Sequence, residues 1–302
     1  MKKVVSVSLG SSRRDHDAAA SFLGLEFRIR RVGTDGSFRR AVELLQELDG
    51  TVDAIGLGGV DVYLYSPGQR YALRDGLRLM QAVKATPVVD GSGLKNTLER
   101  ETIRYLLEED ILPLQDRRVL LVCGMDRFGM AQALEQAGAR LVYGDMIFSL
   151  GIDKPIRSLE ELEHYAEKLL PEVCKLPISL LYPVGKQQRE IQPNALTRPY
   201  YEAAEIIAGD FHFIRRHMPG RLEGKTILTN TVTDSDVEEL RMRGVEWLIT
   251  TTPELQGRSF GTNVMEAVLL AILGKRWEEV VAEDYLGLIR ELGMKPRTLR
   301  LN

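Results

Sequence analysis

Lys95 is the side chain in this sequence that is best suited to move a proton. It follows the apolar run 87–89 and the glycine-rich stretch 90–93, so the pattern predicts that Lys95 lies in the first turns of a helix that begins beyond a strand. A lysine that is desolvated in a cleft becomes an acid–base catalyst near neutral pH. Asp90 is predicted to act beside it, as an acid or as an orienting carboxylate. A surface lysine at the start of an amphipathic helix is the alternative.

Further polar residues that suit ligand binding follow the ends of other predicted strands. Glycine, hydroxyl groups and a helix N-terminus together offer free N–H groups and a positive dipole end to an anion. The residues predicted to bind a small anionic metabolite are Ser6, Ser8, Ser92, Asn96, Thr97, Arg258, Ser259, Thr262 and Asn263. We also expect the segment 250–263 to face the same interdomain cleft as Ser8 and Lys95. Helix capping by hydroxyl groups is the alternative, but it does not explain the added Arg258.

One turn resembles a dinucleotide-binding fingerprint. An apolar run ends at Gly124, Gly129 opens a predicted helix, and Asp145 ends the next predicted strand about 20 residues on, where an acid binds a ribose hydroxyl. These residues predict a cofactor site for NAD or NADP, and the acid favours NAD because it repels a 2′-phosphate. The middle glycine is replaced by Asp126, which adds bulk and negative charge. An ordinary strand–helix–strand crossover is the alternative.

The composition bounds the class of protein. The chain has 302 residues, of which 27% are charged and 44% hydrophobic, which is typical of a globular protein long enough for two domains. A net charge of -3 argues against a general nucleic-acid binder. Two cysteines without metal-ligand spacing favour a cytoplasmic location, and we predict no metal. The first apolar run is too short for a membrane span. The sequence leaves open whether the protein is a homo-oligomer.

Strands that alternate with helices predict an α/β fold of two Rossmann-like domains with mainly parallel sheets and a cleft between them. We predict an N-terminal substrate domain over residues 1–114, a nucleotide-binding domain over residues 115–275 and a C-terminal helical segment over residues 276–302. Between these elements, the apolar run 178–182 predicts a short strand.

The layout resembles that of the quinate/shikimate dehydrogenase family. Ser6 and Ser8 are similar to the paired serines with which that family holds the carboxylate of its substrate, and Lys95 resembles its catalytic lysine. The family places its asparagine and threonine before the lysine, whereas here Asn96 and Thr97 follow it. Neither the family's catalytic aspartate nor its second nucleotide motif can be placed in this sequence.

The resemblance implies an NAD(P)-dependent oxidoreductase that acts on a cyclic polyhydroxy acid such as quinate or shikimate. The alternative is a non-catalytic protein that binds a small anion or senses a metabolite, which suits a chain with many hydrogen-bond donors and no certain acid–base pair. A phosphoryl-transfer enzyme ranks third, because the glycine-rich loop before Lys95 lacks the spacing of a P-loop.

Overall fold

The computed structural model describes residues 1–66, 69–181, 191–255 and 258–302, without the side chains of residues 254–259. The strands, in chain order, are β1 (Lys2–Ser8), β2 (His16–Phe22), β3 (Leu25–Gly33), β4 (Ala54–Gly58), β5 (Tyr63–Ser66), β6 (Gln69–Ala72), β7 (Val88–Val89), β8 (Arg118–Leu121), β9 (Arg140–Tyr143), β10 (Ile206–Gly209), β11 (Thr226–Thr229), β12 (Trp247–Thr250), β13 (Glu254–Leu255), β14 (Arg258–Ser259) and β15 (Arg297–Arg300).

The helices alternate with these strands along much of the chain. They are α1 (Phe38–Leu48), α2 (Arg74–Met80), α3 (Ser92–Glu108), α4 (Phe128–Gln136), α5 (Leu159–Val173), α6 (Ile178–Leu181), α7 (Arg198–Ala203), α8 (Phe211–His217), α9 (Asp234–Met242), α10 (Thr262–Leu273) and α11 (Ala282–Glu291). Single turns of 3₁₀-helix cover Ser12–Arg14 and Trp277–Glu279, and one turn of π-helix covers Asp145–Ser149. None of the helices in the described ranges is long and apolar enough to cross a membrane.

The chain divides into two compact units. The first unit comprises Met1–Thr97, Leu170–Gln188 and Phe260–Met294, and the second comprises Leu98–Leu169, Arg189–Ser259 and Lys295–Asn302. This division differs from the predicted ranges, because 98–114 and 295–302 belong to the second unit and 170–188 and 260–294 to the first. Residues 260–294 join the first unit because α10 packs on β1 and β4, and residues 295–302 join the second because β15 pairs with β12.

The first unit contains a sheet with the strand order β2-β3-β1-β4-β7. The strands β3, β1, β4 and β7 are parallel, and β2 pairs antiparallel with β3 at one edge. The sheet is apolar on both sides, since Val4 and Val5 on β1 and Ile55 and Leu57 on β4 are all buried. After β4, the strands β5 and β6 pair antiparallel with each other, and residues 67 and 68 lie outside the described ranges.

The second unit contains a sheet with the strand order β15-β12-β11-β10-β8-β9. Five of these strands are parallel and follow a doubly wound order, in which the direction of winding reverses between β8 and β10. The sixth, β15, is antiparallel to β12. The predicted α/β class with mainly parallel sheets is confirmed.

The structure corrects two local predictions. Residues Ile178–Leu181 form the short helix α6 instead of a strand. Its backbone is held there because Ile178 N–H donates to the buried carboxylate of Asp75 over 3.0 Å. Strand β2 was not predicted, since its Ala18, Ala19 and Ala20 give no clear alternation of apolar and polar residues.

Candidate functional site

A lysine–carboxylate pair lies beyond the first sheet. The Lys95 Nζ is 3.6 Å from Oδ1 of Asp61, and the two side chains are 11% and 18% exposed. Asp61 follows β4, and Lys95 lies in the first turns of α3 after β7. Because β4 and β7 are adjacent and parallel, their carboxyl ends bring the two residues to one edge of the sheet. Most of the pair is buried, but part of it stays accessible to solvent. An acid–base site requires both partial burial and access for a ligand.

Asp90 is not an exposed acid beside this pair. It is buried, and its Oδ2 accepts hydrogen bonds from the backbone N–H groups of Val62 and Tyr63 at 2.5 and 3.1 Å. Its Oδ1 accepts from the N–H and the hydroxyl of Ser92 at 3.0 and 2.6 Å. Of the two roles predicted for Asp90, this geometry matches the orienting carboxylate.

The first turn of α10 lies against the same edge of the first sheet. The Asn263 Nδ2 donates to the Ser6 Oγ over 2.8 Å. A Cβ at Gly56 would lie 2.6 Å from the carbonyl oxygen of Asn263, and a Cβ at Gly91 would lie 2.7 Å from its backbone nitrogen. Glycine at both positions therefore permits the close approach of α10. The predicted ligand residues Ser6 and Asn263 are thus brought together.

Ser8 lies close to this group, but its hydroxyl is already hydrogen-bonded. The Ser8 Oγ accepts from Gly10 N–H and from the Arg31 guanidinium, both at 3.0 Å. A Cβ at Gly58 would lie 3.0 Å from Ser8 Oγ and 3.2 Å from Asn263 Nδ2, so the two side chains border the same small space. Burial, followed by the nearby charge of Arg14, lowers the pKa of Arg31 to about 10.

The other predicted ligand residues of the first unit lie at two helix N-termini. Ser92 and Thr97 are buried in α3, Asn96 is half-buried in the same helix, and Thr262 is half-buried in the first turn of α10. The backbone of Arg258 and Ser259 forms β14, but their side chains lie outside what the structure describes. The predicted convergence of Arg258 with Ser8 and Lys95 therefore stays a prediction.

A buried carboxyl group adjoins the glycine-rich start of α3. Glu266 on α10 is completely buried, and its Oε1 accepts a hydrogen bond from the Tyr285 hydroxyl over 2.6 Å. A Cβ at Gly93 would lie only 2.5 Å from that oxygen. Burial, together with the negative charge of Asp90, raises the pKa of Glu266 to about 8. The start of α3, which the sequence predicts to receive a ligand anion, thus packs against a side chain of the protein itself.

In the second unit, the acid of the predicted nucleotide-binding turn is hydrogen-bonded to the turn itself. Asp145 is buried, and its two carboxylate oxygens accept from the N–H groups of Gly124 and Met125, both at 2.9 Å. Burial raises the pKa of Asp145, and burial beside the carboxylates of Asp145 and Asp126 raises the pKa of the Cys123 thiol well above its ordinary value. Cys123 is therefore unsuited to act as a nucleophile.

A cluster of charged residues lies beyond the carboxyl ends of β8 and β10. In doubly wound sheets, ligands bind at this place. The Arg127 guanidinium contacts Glu99, lies 3.2 Å from Oδ2 of Asp210 and lies 3.8 Å from Oδ2 of Asp126. Burial raises the pKa of Asp210, but His212 and Arg127 outweigh it, and the pKa lies below its ordinary value. The cluster holds three carboxyl groups around one guanidinium.

These observations test whether the turn fits a nicotinamide dinucleotide. The crossover itself is present, with Gly124 after β8, the buried Gly129 in α4 and Asp145 after β9. However, the N–H groups of Gly124 and Met125 are bound by Asp145, and the buried Asp126 adds a second carboxyl group at the same turn. A pyrophosphate would meet like charge in place of free donors. The turn in this conformation does not fit a pyrophosphate.

Sequence reasoning missed the acids that contact the predicted residues. Glu266 carried a usable signal, because it is the one charged residue in the apolar stretch 262–273. A charge in that setting is buried only with partners, so it marks a special position. Asp61 lies two residues after the glycine pair 58–59 that ends an apolar run, so the rule that selected Lys95, a polar residue beyond the end of a strand, could also find it. Within the described ranges, no group of three or more His, Cys, Asp or Glu side chains is arranged to hold a metal ion.

The fold and the site define an α/β protein of two units. The first unit contains a lysine–carboxylate pair, and the second contains a turn whose N–H groups are bound by the carboxylate of Asp145. Residues 93–301 match the family described as a domain of unknown function (DUF8754), and the chain belongs to that family. Residues 3–90 match a second domain of unknown function (DUF8753). No curated protein matches the chain.

Solved structures with a similar course of the chain include both dehydrogenases and sugar-binding proteins. A hetero-hexameric glutamate dehydrogenase from Thermus thermophilus is 15% identical with a TM-score of 0.40, over 97% of this chain and 74% of that one. A galactofuranose binding protein is 11% identical with a TM-score of 0.36, over 97% of this chain and 100% of that one. An NAD-dependent malic enzyme from Thermotoga maritima is 11% identical with a TM-score of 0.35, over 97% of this chain and 84% of that one. Likenesses of this size do not indicate an activity.

Proposed function

We propose that the first unit binds a small hydroxylated carboxylic acid of the quinate or shikimate kind. In this proposal, Lys95 and Asp61 move the proton of one of its hydroxyl groups. The observation that carries the proposal is the separation of 3.6 Å between Lys95 Nζ and Asp61 Oδ1 in a largely buried position. The polar side chains of Ser6, Ser8 and Asn263 lie at the same edge of the first sheet, where the hydroxyl groups of Ser6 and Ser8 are buried and hydrogen-bonded within the protein.

The proposed chemistry begins with proton transfer. Lys95 in its amine form accepts the hydroxyl proton of the ligand, and the carboxylate of Asp61 stabilises the ammonium ion that results. Removal of a hydroxyl proton is the acid–base half of an alcohol oxidation, so the proposed class is the oxidoreductase that the family resemblance implies. The family resemblance implies a nicotinamide cofactor for the other half of the oxidation. It stays a prediction, because the turn at Gly124 does not fit a pyrophosphate in this conformation.

A turnover assay tests the catalytic proposal. Purified protein is mixed with quinate or shikimate and with NAD or NADP, and the absorbance of the reduced nicotinamide is followed. Turnover in the wild type that falls at least about a hundredfold in Lys95→Met supports acid–base catalysis by this pair. An absence of turnover in all four pairings, with no binding of NAD or NADP by calorimetry, rejects the oxidoreductase.

The second candidate is a protein that binds the same kind of ligand without converting it. The observation that favours it is the hydrogen bonding of Asp145 to Gly124 and Met125, which takes up N–H groups that a pyrophosphate would need. A thermal-shift experiment with quinate, shikimate and related hydroxy acids separates the two candidates, because a ligand that binds the folded state raises Tm. If a ligand raises Tm and is recovered unchanged after incubation with either cofactor, the result supports a sensor. If the ligand is converted, the result rejects a sensor.

A further inference from the structure

We infer that Asp90 is a positioning residue whose single carboxylate fixes both partners of the Lys95–Asp61 pair. The inference rests on the proposed function, since it assigns the group that sets the geometry of that site. Asp90 itself is buried, with 6% of its surface exposed, and both of its oxygens are bonded within the protein. It is therefore placed to act through other residues and not by contact with a ligand.

One oxygen of Asp90 fixes the segment that carries Asp61. Its Oδ2 accepts the N–H groups of Val62 and Tyr63, the two residues that follow Asp61 directly. On the other side, a Cβ at Gly76 would lie 2.5 Å from the carbonyl oxygen of Asp61. The backbone at Asp61 is thus held between a buried carboxylate and a glycine of α2, which fixes the position from which the Asp61 side chain reaches Lys95.

The second oxygen fixes the helix that carries Lys95. Oδ1 of Asp90 accepts the N–H and the hydroxyl of Ser92, the first residue of α3. Lys95 follows three residues later, and its own N–H donates to Gly91 over 2.8 Å. The orientation of this first turn therefore sets the direction from which Lys95 approaches Asp61.

The role requires a carboxylate and not merely a polar side chain. Four donors converge on two oxygens of Asp90. An asparagine offers one acceptor oxygen, and its amide group is a donor that would oppose the N–H groups on the other side. Asp90→Asn must therefore release either the Asp61 segment or the start of α3, which separates Lys95 from Asp61.

Zero-length coupling measures this separation without any ligand. A carbodiimide joins an amine and a carboxylate that are in contact, and peptide mass spectrometry quantifies the amide between Lys95 and Asp61. The wild type should form this product, and Asp90→Asn should form at least about fivefold less, the effect of one buried hydrogen bond on an equilibrium. Asp236→Asn is the matched control, because Asp236 is a buried carboxylate of the second unit that likewise accepts the N–H and the hydroxyl of one residue, Thr233, at 2.8 and 2.7 Å.

The milder variant Ser92→Ala keeps the test decisive if Asp90→Asn does not fold. It removes only the hydroxyl bond of 2.6 Å to Asp90 and should reduce the coupling at least about twofold. An absence of the Lys95–Asp61 product in the wild type overturns the inference, and so does an unchanged yield in a folded Asp90→Asn or, failing that, in Ser92→Ala. A failure of quinate or shikimate to bind would instead overturn the proposed function, because the coupling yield depends on geometry alone.

Discussion

The side-chain amide of Asn263 donates a hydrogen bond of 2.8 Å to the hydroxyl of Ser6, which joins α10 to the first strand of the chain. Ser6 is almost completely buried. It is one of the contacts by which α10 packs on the first sheet, and this packing places 260–294, which lie far from the N-terminus in sequence, in the first unit.

Removal of this contact should destabilise the first unit. In Asn263→Ala the buried Ser6 hydroxyl loses its donor, and the free energy of unfolding should fall by about 1–3 kcal/mol. Urea unfolding of Asn263→Ala, Ser6→Ala and the double variant forms a double-mutant cycle. We expect a coupling of about 0.5–2 kcal/mol between the two residues, and additive effects would show that the bond contributes nothing.

The carboxyl group of Glu266 should make stability depend on pH. Its pKa in the folded protein is about 8, above the ordinary value of 4.5, because of burial and Asp90. The folded state therefore binds this proton more tightly, so the contribution of Glu266 is complete below pH 4.5 and is lost as the pH rises towards 8. Tyr285 contacts the carboxyl group of Glu266, and Asp90 and Tyr65 interact with it electrostatically.

The measurement for Glu266 is urea unfolding between pH 5 and pH 9 in the wild type and in Glu266→Gln. The glutamine keeps an oxygen for the Tyr285 hydroxyl but does not titrate. The wild type should lose stability relative to the variant by up to about 1.4 kcal/mol per pH unit within this window. Parallel curves for the two proteins would show that Glu266 titrates at its ordinary pKa.

Two glycines in helices of the first unit should respond in opposite directions to alanine. A Cβ at Gly93 would lie 2.5 Å from Glu266 Oε1 and 3.2 Å from the Tyr285 ring, whereas a Cβ at Gly287 would meet no atom within 4 Å. Gly93→Ala should cost about 1–3 kcal/mol through overpacking. Gly287→Ala, the matched control in α11, should gain about 0.5–1 kcal/mol of helix propensity. Equal Tm values for the two variants would contradict the close approach of Glu266 to α3.

The Arg127 cluster should be essential to the stability of the second unit. Arg127→Met leaves the buried Glu99 and the largely buried Asp210 without their cation, which should cost about 3–5 kcal/mol. The double variant Arg127→Met/Glu99→Met should recover part of that loss. Arg104→Met, which breaks exposed pairs with Glu101 and Glu108, should cost at most about 1 kcal/mol. If the two single variants lose similar amounts of unfolding free energy, burial does not make the ion pairs of Arg127 more important for stability than exposed ones.

The sequence predicts the fold well where local patterns determine structure. The apolar run that ends at Gly124 and the helix predicted at Gly129 correspond to β8 and α4, because one face or both faces of each element must be buried. The same reasoning fails at α6, whose four residues are too few to show a period and are positioned by a hydrogen bond to Asp75 from a distant part of the chain.

The candidate site was predictable as a set of positions but not as a set of contacts. Lys95 is recognisable from the glycine-rich turn before it, yet its neighbour Asp61 depends on the pairing of β4 with β7. Asp145 has the spacing of a ribose-binding acid, but spacing along the chain does not reveal that its oxygens bind the turn at Gly124. Tertiary hydrogen bonds of this kind are set by side-chain direction, which residue spacing does not determine.

The central claim, that the first unit binds a hydroxylated acid at Lys95, is tested most directly by calorimetry. Quinate and shikimate are titrated into the wild type, into Lys95→Met and into Lys84→Met, whose exposed lysine lies in the same unit. We expect the wild type and Lys84→Met to bind one of the two acids with equal affinity and Lys95→Met to bind it about 0.5–1.5 kcal/mol more weakly, the loss of one hydrogen bond between the amine and a hydroxyl group of the ligand. An absence of binding to the wild type, or equal binding by Lys95→Met, would contradict the claim.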